Sequence, residues 1–258
     1  MSKKLISVLL LLACFALAST AQARHFKVYG YKTPEAGESE LVYWNDYVAQ
    51  SAKSMAFFGK NVDREGLLIH TLEVEYGLTD RLKLAAYLDA EQPSGENIEL
   101  VRARVVAAHY RFGNAGERFF DPAIYIEYYL PRPAYLGYAK ERVEARIILE
   151  KKLGDMVLKL NPVLEKVVSG PKVDEGMELA YSASLYGPLS DKLQWGIEYY
   201  GGVGELVAVK PVDEQKNYLV PAVTYKFNKH FKWNIGAAFG ISKAADDLVI
   251  KNIIAWEL

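Results

Sequence analysis

Between Leu72 and Leu88 the chain reads L-E-V-E-Y-G-L-T-D-R-L-K-L-A-A-Y-L. Leu72, Val74 and Tyr76 alternate with Glu73 and Glu75. After the polar connection Gly77–Arg81, Leu82, Leu84, Ala86 and Leu88 alternate with Lys83, Ala85 and Tyr87. A period of two sends neighbouring side chains to opposite faces of a strand, so this stretch predicts a hairpin, oily on one face and charged on the other. Gly77 is expected to supply a positive φ in the turn.

The unit recurs to the last residue. Alternation predicts strands at about 41–49, 67–77, 81–90, 98–111, 120–130, 142–153, 155–166, 176–187, 192–200, 217–227, 231–241 and 248–258. In the sixth, Val143, Ala145, Ile147 and Leu149 oppose Arg142, Glu144, Arg146 and Glu150, although Ile148 and Lys151 interrupt the pattern. Gly154-Asp155 turns the chain, and Leu158, Leu160, Pro162 and Leu164 then oppose Lys159, Asn161 and Glu165. Pro162 cannot donate to a ladder and is expected at a bulge or where its strand leaves the membrane. Apolar residues at i, i+3 and i+4, which a helix would need, are not sustained.

Connection lengths alternate too. Gly77–Arg81, Gly154–Asp155, Gly187–Asp191 and Asn228–His230 are tight, with the medium Gly113–Phe119 at one tight position. Gln50–Gly66, Ala90–Asn97, Pro131–Glu141, Val167–Glu175 and Gly201–Asn217 are long. An up-and-down sheet gathers the tight turns at one end. Outer-membrane barrels have that asymmetry, with short periplasmic turns and longer external loops. A strand of about 10 residues tilted near 40° crosses an apolar band about 25 Å tall, and a sheet in lipid must close because an open edge strands its backbone groups. The expected fold is therefore all-β: a closed antiparallel transmembrane barrel of about 12 strands, residues 41–258. A soluble periplasmic barrel would put its apolar face inside instead.

Residues 1–23 read as a signal peptide: Lys3 and Lys4, an apolar run Leu5–Ala18, and Ala21-Gln22-Ala23 at the cleavage site. Cys14, the single cysteine, lies within it, so a chain starting near Arg24 has no disulfide. Residues 24–40 are a lead-in, either a plug or a mobile terminus. With 258 residues and a formal net charge of −1, the chain has no basic footprint for nucleic acid.

Glu73-Val74-Glu75-Tyr76-Gly77-Leu78-Thr79-Asp80-Arg81-Leu82 resembles a repeated strand–YGLTDR–strand motif of Gram-negative outer-membrane barrels labelled as transporters of the meta-pathway phenol-degradation type. Gly187–Leu193 is similar to a looser copy. About ten residues carry the likeness, and the motif is a hairpin turn before it is anything else. The resemblance implies passive uptake of small molecules, hydrophobic ones included. The last strand also resembles the terminal strand that the barrel assembly machinery reads, with Leu248, Ile250, Asn252, Ile254 and Trp256 on one face. Its final Leu258 departs from the usual Phe.

Inward-facing charge is the candidate site: Glu73, Glu75, Lys83, Arg102, Arg104, Glu127, Arg142, Glu144, Arg146, Glu150, Lys159, Glu178 and Glu198 are expected to line a lumen. They serve equally a polar pore that selects solutes or a packed interior of ion pairs. Arg102 and Arg104 are harder to place, because Val101–Ala108 is apolar on both parities. No cofactor or metal is implied: there is no Cys-x-x-Cys or His-x-x-x-His, and no Gly-x-Ser-x-Gly elbow for a hydrolase. His70, His109 and His230 are expected at interfaces or turns. Gly201–Gly204 reads as the root of an external loop, and Met55–Phe58 and 131–140 as external loops with exposed aromatics. The expected function is passive diffusion of small solutes across the outer membrane. A plugged structural or surface-interaction barrel is the alternative, and an outer-membrane hydrolase a third. Membrane lipid, the assembly machinery and a small solute are the expected partners.

Overall fold

The computed structural model describes residues 26–133, 135, 141–170, 173–174 and 176–258. The predicted signal segment, Cys14, His25 and part of the 131–140 loop lie outside the described residues. The strands are β1 (Ser39–Gln50), β2 (Ser54–Phe57), β3 (Lys60–Asp63), β4 (Leu68–Thr79), β5 (Leu82–Gln92), β6 (Glu99–Arg111) and β7 (Asp121–Pro131). They continue as β8 (Glu141–Leu153), β9 (Met156–Ser169), β10 (Glu178–Pro188), β11 (Leu193–Glu205), β12 (Tyr218–Lys226), β13 (Phe231–Gly240) and β14 (Leu248–Glu257). All but β2 and β3 form one closed antiparallel ring in chain order. β1 closes it: Trp44 lies opposite Ile253 of β14 on one side and Thr71 of β4 on the other.

The alternation sorts as the barrel requires. Leu88 is 50% exposed and Ile147 52%, whereas Glu73 is 0% exposed and Glu127 1%. The oily side chains point out and the charges in, the reverse of a water-soluble barrel. So large an apolar cylinder is compatible with lipid and not with water. Aromatic residues gather outside near the short turns: Tyr110 packs on Phe112 with centroids 5.2 Å apart, and Phe227 lies 4.8 Å from Tyr225 and 5.0 Å from Phe231. Tyr76, Trp195 and Trp256 are exposed near the same end. Amphipathic rings favour the head-group level, so this end marks one membrane surface. The protein is an outer-membrane barrel.

Five expectations are corrected. Gly77 belongs to β4, and its φ is not positive; it is glycine because a Cβ there would collide with the carbonyl of Glu35. That close approach lets Gly37 N–H donate to Gly77 O at 2.8 Å. Gly201–Gly204 lies within β11 and is buried. A Cβ on Gly201 would strike the Tyr181 ring, so the missing side chain makes room for an aromatic neighbour. Pro162 sits mid-strand without a bulge. β8 and β9 keep one register from Arg146↔Val163 to Leu149↔Leu160, with the ladder interrupted between those pairs. Pro221 does the same between Leu219↔Phe239 and Ala222↔Gly236. Each proline removes donors locally without shifting its strand.

The long link after β1 contains the hairpin β2–β3. Its tip is Phe58 at φ 47° and Gly59 at φ 82°, the left-handed pair of a two-residue hairpin turn. Its aromatics are not exposed as expected: Phe57 is buried and packs with Phe58, Tyr135 and Val101 at the barrel mouth. Finally, His109 is buried inside the barrel. Register shifts at Asp89/Ala90 and Val106/Ala108 each reverse the inward parity of β6, so Arg102, Arg104, Val106 and then His109 face in.

Candidate functional site

Burial separates the interior into connected groups. Glu73 Oε1 accepts from the Tyr87 hydroxyl at 2.6 Å, and Oε2 from Trp44 Nε1 at 3.1 Å and Lys27 Nζ at 2.6 Å. Glu75 accepts from Lys83 at 2.6 Å. Asp89 takes the Thr71 hydroxyl at 2.6 Å, Arg102 Nε at 2.5 Å, and Arg104 through both Nε (2.8 Å) and a terminal nitrogen (3.0 Å). The other end of that guanidinium reaches Glu127 at 2.8 Å, so Arg104 bridges β5 and β7. Glu144 accepts Arg146 and the Tyr129 hydroxyl, each at 2.8 Å. Charge-assisted bonds of this density are strong because little water competes.

Across the lumen, Glu198 of β11 accepts Lys251 of β14 at 2.7 Å, Tyr200 at 2.6 Å and the Tyr186 hydroxyl. Arg142 donates to Glu165 at 3.0 Å. Glu178 is half-buried at the external end of β10, opposite Glu165 and Glu205. The candidates thus fall on the inner wall, but in separate groups. The sequence reading left out Trp44, Asp46, Asp89, Asn161 and Lys251, all buried. Asp89 and Lys251 share the inward parity of their strands, a signal that was present. Trp44 carries the opposite signal, since its residue type suggests the lipid belt.

The lead-in residues 26–33 run inside the ring. Phe26 meets Tyr200 and Tyr218 edge-on at 5.1 and 5.0 Å toward the loop end. Tyr29 N–H donates to Asn161 Oδ1 at 2.7 Å, and Asn161 Nδ2 returns a bond to Tyr29 O at 3.1 Å. The Tyr29 ring lies 4.8 Å from Tyr125, with Arg146 stacked 4.3 Å away. Gly30 passes between Lys159 and Glu150. Tyr31 N–H donates to Glu150 at 2.9 Å, and its hydroxyl to Gly113 O at 2.7 Å beside a short turn. Two cavities flank this segment. One of about 190 Å³ lies at the mouth, between Phe26 and the β2–β3 hairpin. The other, of about 50 Å³, lies beside Lys27 and Tyr29, between Arg104, Glu144 and Arg146 and the smaller Ala180, Ser182 and Gly201.

At the mouth, Arg64 grips Asp246 through two bonds of 2.8 Å, and the Ser51 hydroxyl adds a third at 2.7 Å. Burial works to raise the Asp246 carboxyl, but the Arg64 and Ser51 bonds prevail and hold it at about 2. Among the described residues His70 and His109 make no hydrogen bond to a serine: His70 Nδ1 meets Tyr43 and Asn45, and neither ring nitrogen of His109 has a partner there. Among the described residues no group of three or more His, Cys, Asp or Glu could hold a metal.

A closed barrel with a lipid-facing apolar surface and a charged, partly occupied interior defines an outer-membrane β-barrel. Among solved structures, the chain is similar to the COG4313 outer membrane channel from Pseudomonas putida F1. Identity is 15%, 91% of this chain and 100% of that one are covered, and the TM-score is 0.56. It is similar also to the KdgM porin in complex with disordered oligogalacturonate, at 8% identity, 85% and 99% coverage and a TM-score of 0.54. At these identities the likeness is one of fold. No family model and no curated protein matches the sequence.

Proposed function

We propose that the protein is an outer-membrane channel for passive diffusion of small solutes, hydrophobic ones included, and that residues 26–33 set how open it is. The reading needs neither cofactor nor catalysis. One observation carries it: the segment inside the ring shares no ladder with the wall and is held by separate side-chain bonds, chiefly from Glu73, Asn161 and Glu150. Such bonds contribute from about 1 kcal/mol for the Tyr29–Asn161 pair to about 1.5–3 kcal/mol where a charged group takes part, and none of them belongs to the ladder that closes the wall. The fold shared with a channel and a porin supports the same reading. The phenol-degradation-type resemblance of the first hairpin points to small apolar solutes.

The thirteen candidate charges would then line the solute path or its margin. Removal of residues 1–23 would leave Arg24 two positions before Phe26, and the final strand would be what the assembly machinery reads. A second reading, a non-conducting structural barrel, is favoured by the filled interior, since Asp89, Arg104 and Glu127 satisfy one another without the lead-in. Conductance of the full mature chain in planar bilayers, compared with Lys27→Glu, separates the two. The channel reading expects small unitary currents that grow when the carboxylate of Lys27→Glu repels Glu73 and Glu75; the structural reading expects none in either protein.

A further inference from the structure

The mouth cavity has a chemistry of its own. At about 190 Å³ it is somewhat larger than the roughly 150 Å³ engineered cavity known to take benzene, so one ring with a small substituent fits. Its walls differ. Val48, Ile69 and Val249 supply apolar surface from the adjoining strands β1, β4 and β14, and Phe26 is among the residues lining the same space. Arg102 and Arg142 line it from β6 and β8, two and four strands beyond β4 around the ring.

The charged lining is uneven. Arg64, Arg102, Arg142 and Lys216 stand against Glu91 and Asp246. Both acids are already engaged: Glu91 accepts the Tyr135 hydroxyl at 2.6 Å, and Asp246 is clamped by Arg64. Arg142 is differently placed. Among the described residues it makes one hydrogen bond, to Glu165 at 3.0 Å, and its side chain is 11% exposed. A guanidinium has five donors in a planar fork suited to a carboxylate, and Arg142 lines the cavity with one of them given to Glu165.

The geometry points to a binding site at the external mouth for a small apolar monocarboxylate of about one ring, its body against the β1–β4–β14 wall and its carboxylate on Arg142. The inference deepens the channel reading by naming a solute class, yet binding can be measured without flux. In that reading the site would concentrate such anions above the lead-in segment.

The test is isothermal titration of the full mature chain in detergent micelles with benzoate, benzyl alcohol and benzylamine. The site predicts one benzoate per chain, benzyl alcohol at least tenfold weaker and no benzylamine binding. Arg142→Gln should weaken benzoate at least tenfold and leave benzyl alcohol unchanged, while Arg142→Lys keeps most of the affinity. Heat-modified gel mobility shows that each variant folds. Equal binding of benzoate and benzyl alcohol, no binding of either, or indifference to Arg142→Gln in a folded barrel overturns the site. Binding without any conductance would instead sink the channel reading and leave the site standing.

Discussion

The inner wall from β4 to β9 and the inner wall from β10 to β14 meet the same demand in different ways. Both must present a polar face to a shared interior. The first does so with bulk and charge: Glu73, Lys83, Asp89, Arg104, Glu127 and Glu144 are buried in separate bonded groups, with Tyr87, Tyr125 and Tyr129 between them. The second uses mostly smaller side chains, Ala180, Ser182, Ser184, Ala222 and Ala238, with the buried rings of Tyr200 and Tyr218 toward the loop end, around the ion pair Lys251–Glu198. The lead-in is held to the charged wall through Lys27, Tyr29 and Tyr31 and packs on the second through Phe26, and the 50 Å³ gap lies where the two walls meet, between Arg104, Glu144 and Arg146 on one side and Ala180, Ser182 and Gly201 on the other. The first wall is crowded and the second leaner, and the space beside the segment lies along their seam, with the small side chains of β10 on one side of it.

The largest expected effect breaks the crowded wall. Arg104→Met takes a cation from two buried carboxylates at once, although Asp89 keeps Arg102 and Glu127 keeps the Tyr125 hydroxyl, and removing one partner of a buried pair costs about 3–5 kcal/mol. Lys251→Met on the lean wall should cost less, about 2 kcal/mol, because Tyr186 and Tyr200 still donate to Glu198. Urea unfolding in micelles ranks the two, and equal losses would erase the distinction between the walls. Filling the lean side tests it from the other direction. Ser182→Trp, at a residue that lines the 50 Å³ gap, should cut solute flux into liposomes several-fold, whereas insensitivity in a folded barrel would place the path elsewhere.

A smaller effect concerns the mouth. The Asp246 carboxyl is held at about 2, below its ordinary 3.8. A carboxyl lowered by folding contributes stability that is present above the ordinary value and lost as pH falls through the folded one. After solvent screening this amounts to about 1 kcal/mol. The unfolding midpoints of the wild type and Asp246→Asn should differ at pH 5 and converge by about pH 2. A constant gap would mean that the Arg64 clamp does not act through charge.

Legibility in the sequence followed the range of the contacts. The first hairpin could be read because Glu73 and Leu72 declare their faces locally, and the ring follows from tight turns repeating along the chain. β6 resisted because its bulges reverse parity twice, which hid His109 and blurred Arg102. Gly201–Gly204 looked like a loop because the reason for glycine there, the Tyr181 ring, comes from another strand. The path of the lead-in was least legible. Tyr29 and Asn161 are 132 residues apart, and no local period marks a segment whose partners are spread around a closed wall.

Single-channel recording of the mature chain and of Lys27→Glu, in the same bilayers at the same salt, bears most directly on the segment inside the ring. If the lead-in governs passage, the variant conducts several-fold more than the wild type while keeping the folded gel mobility. Identical traces from two folded proteins, whether both silent or both open, would contradict that role.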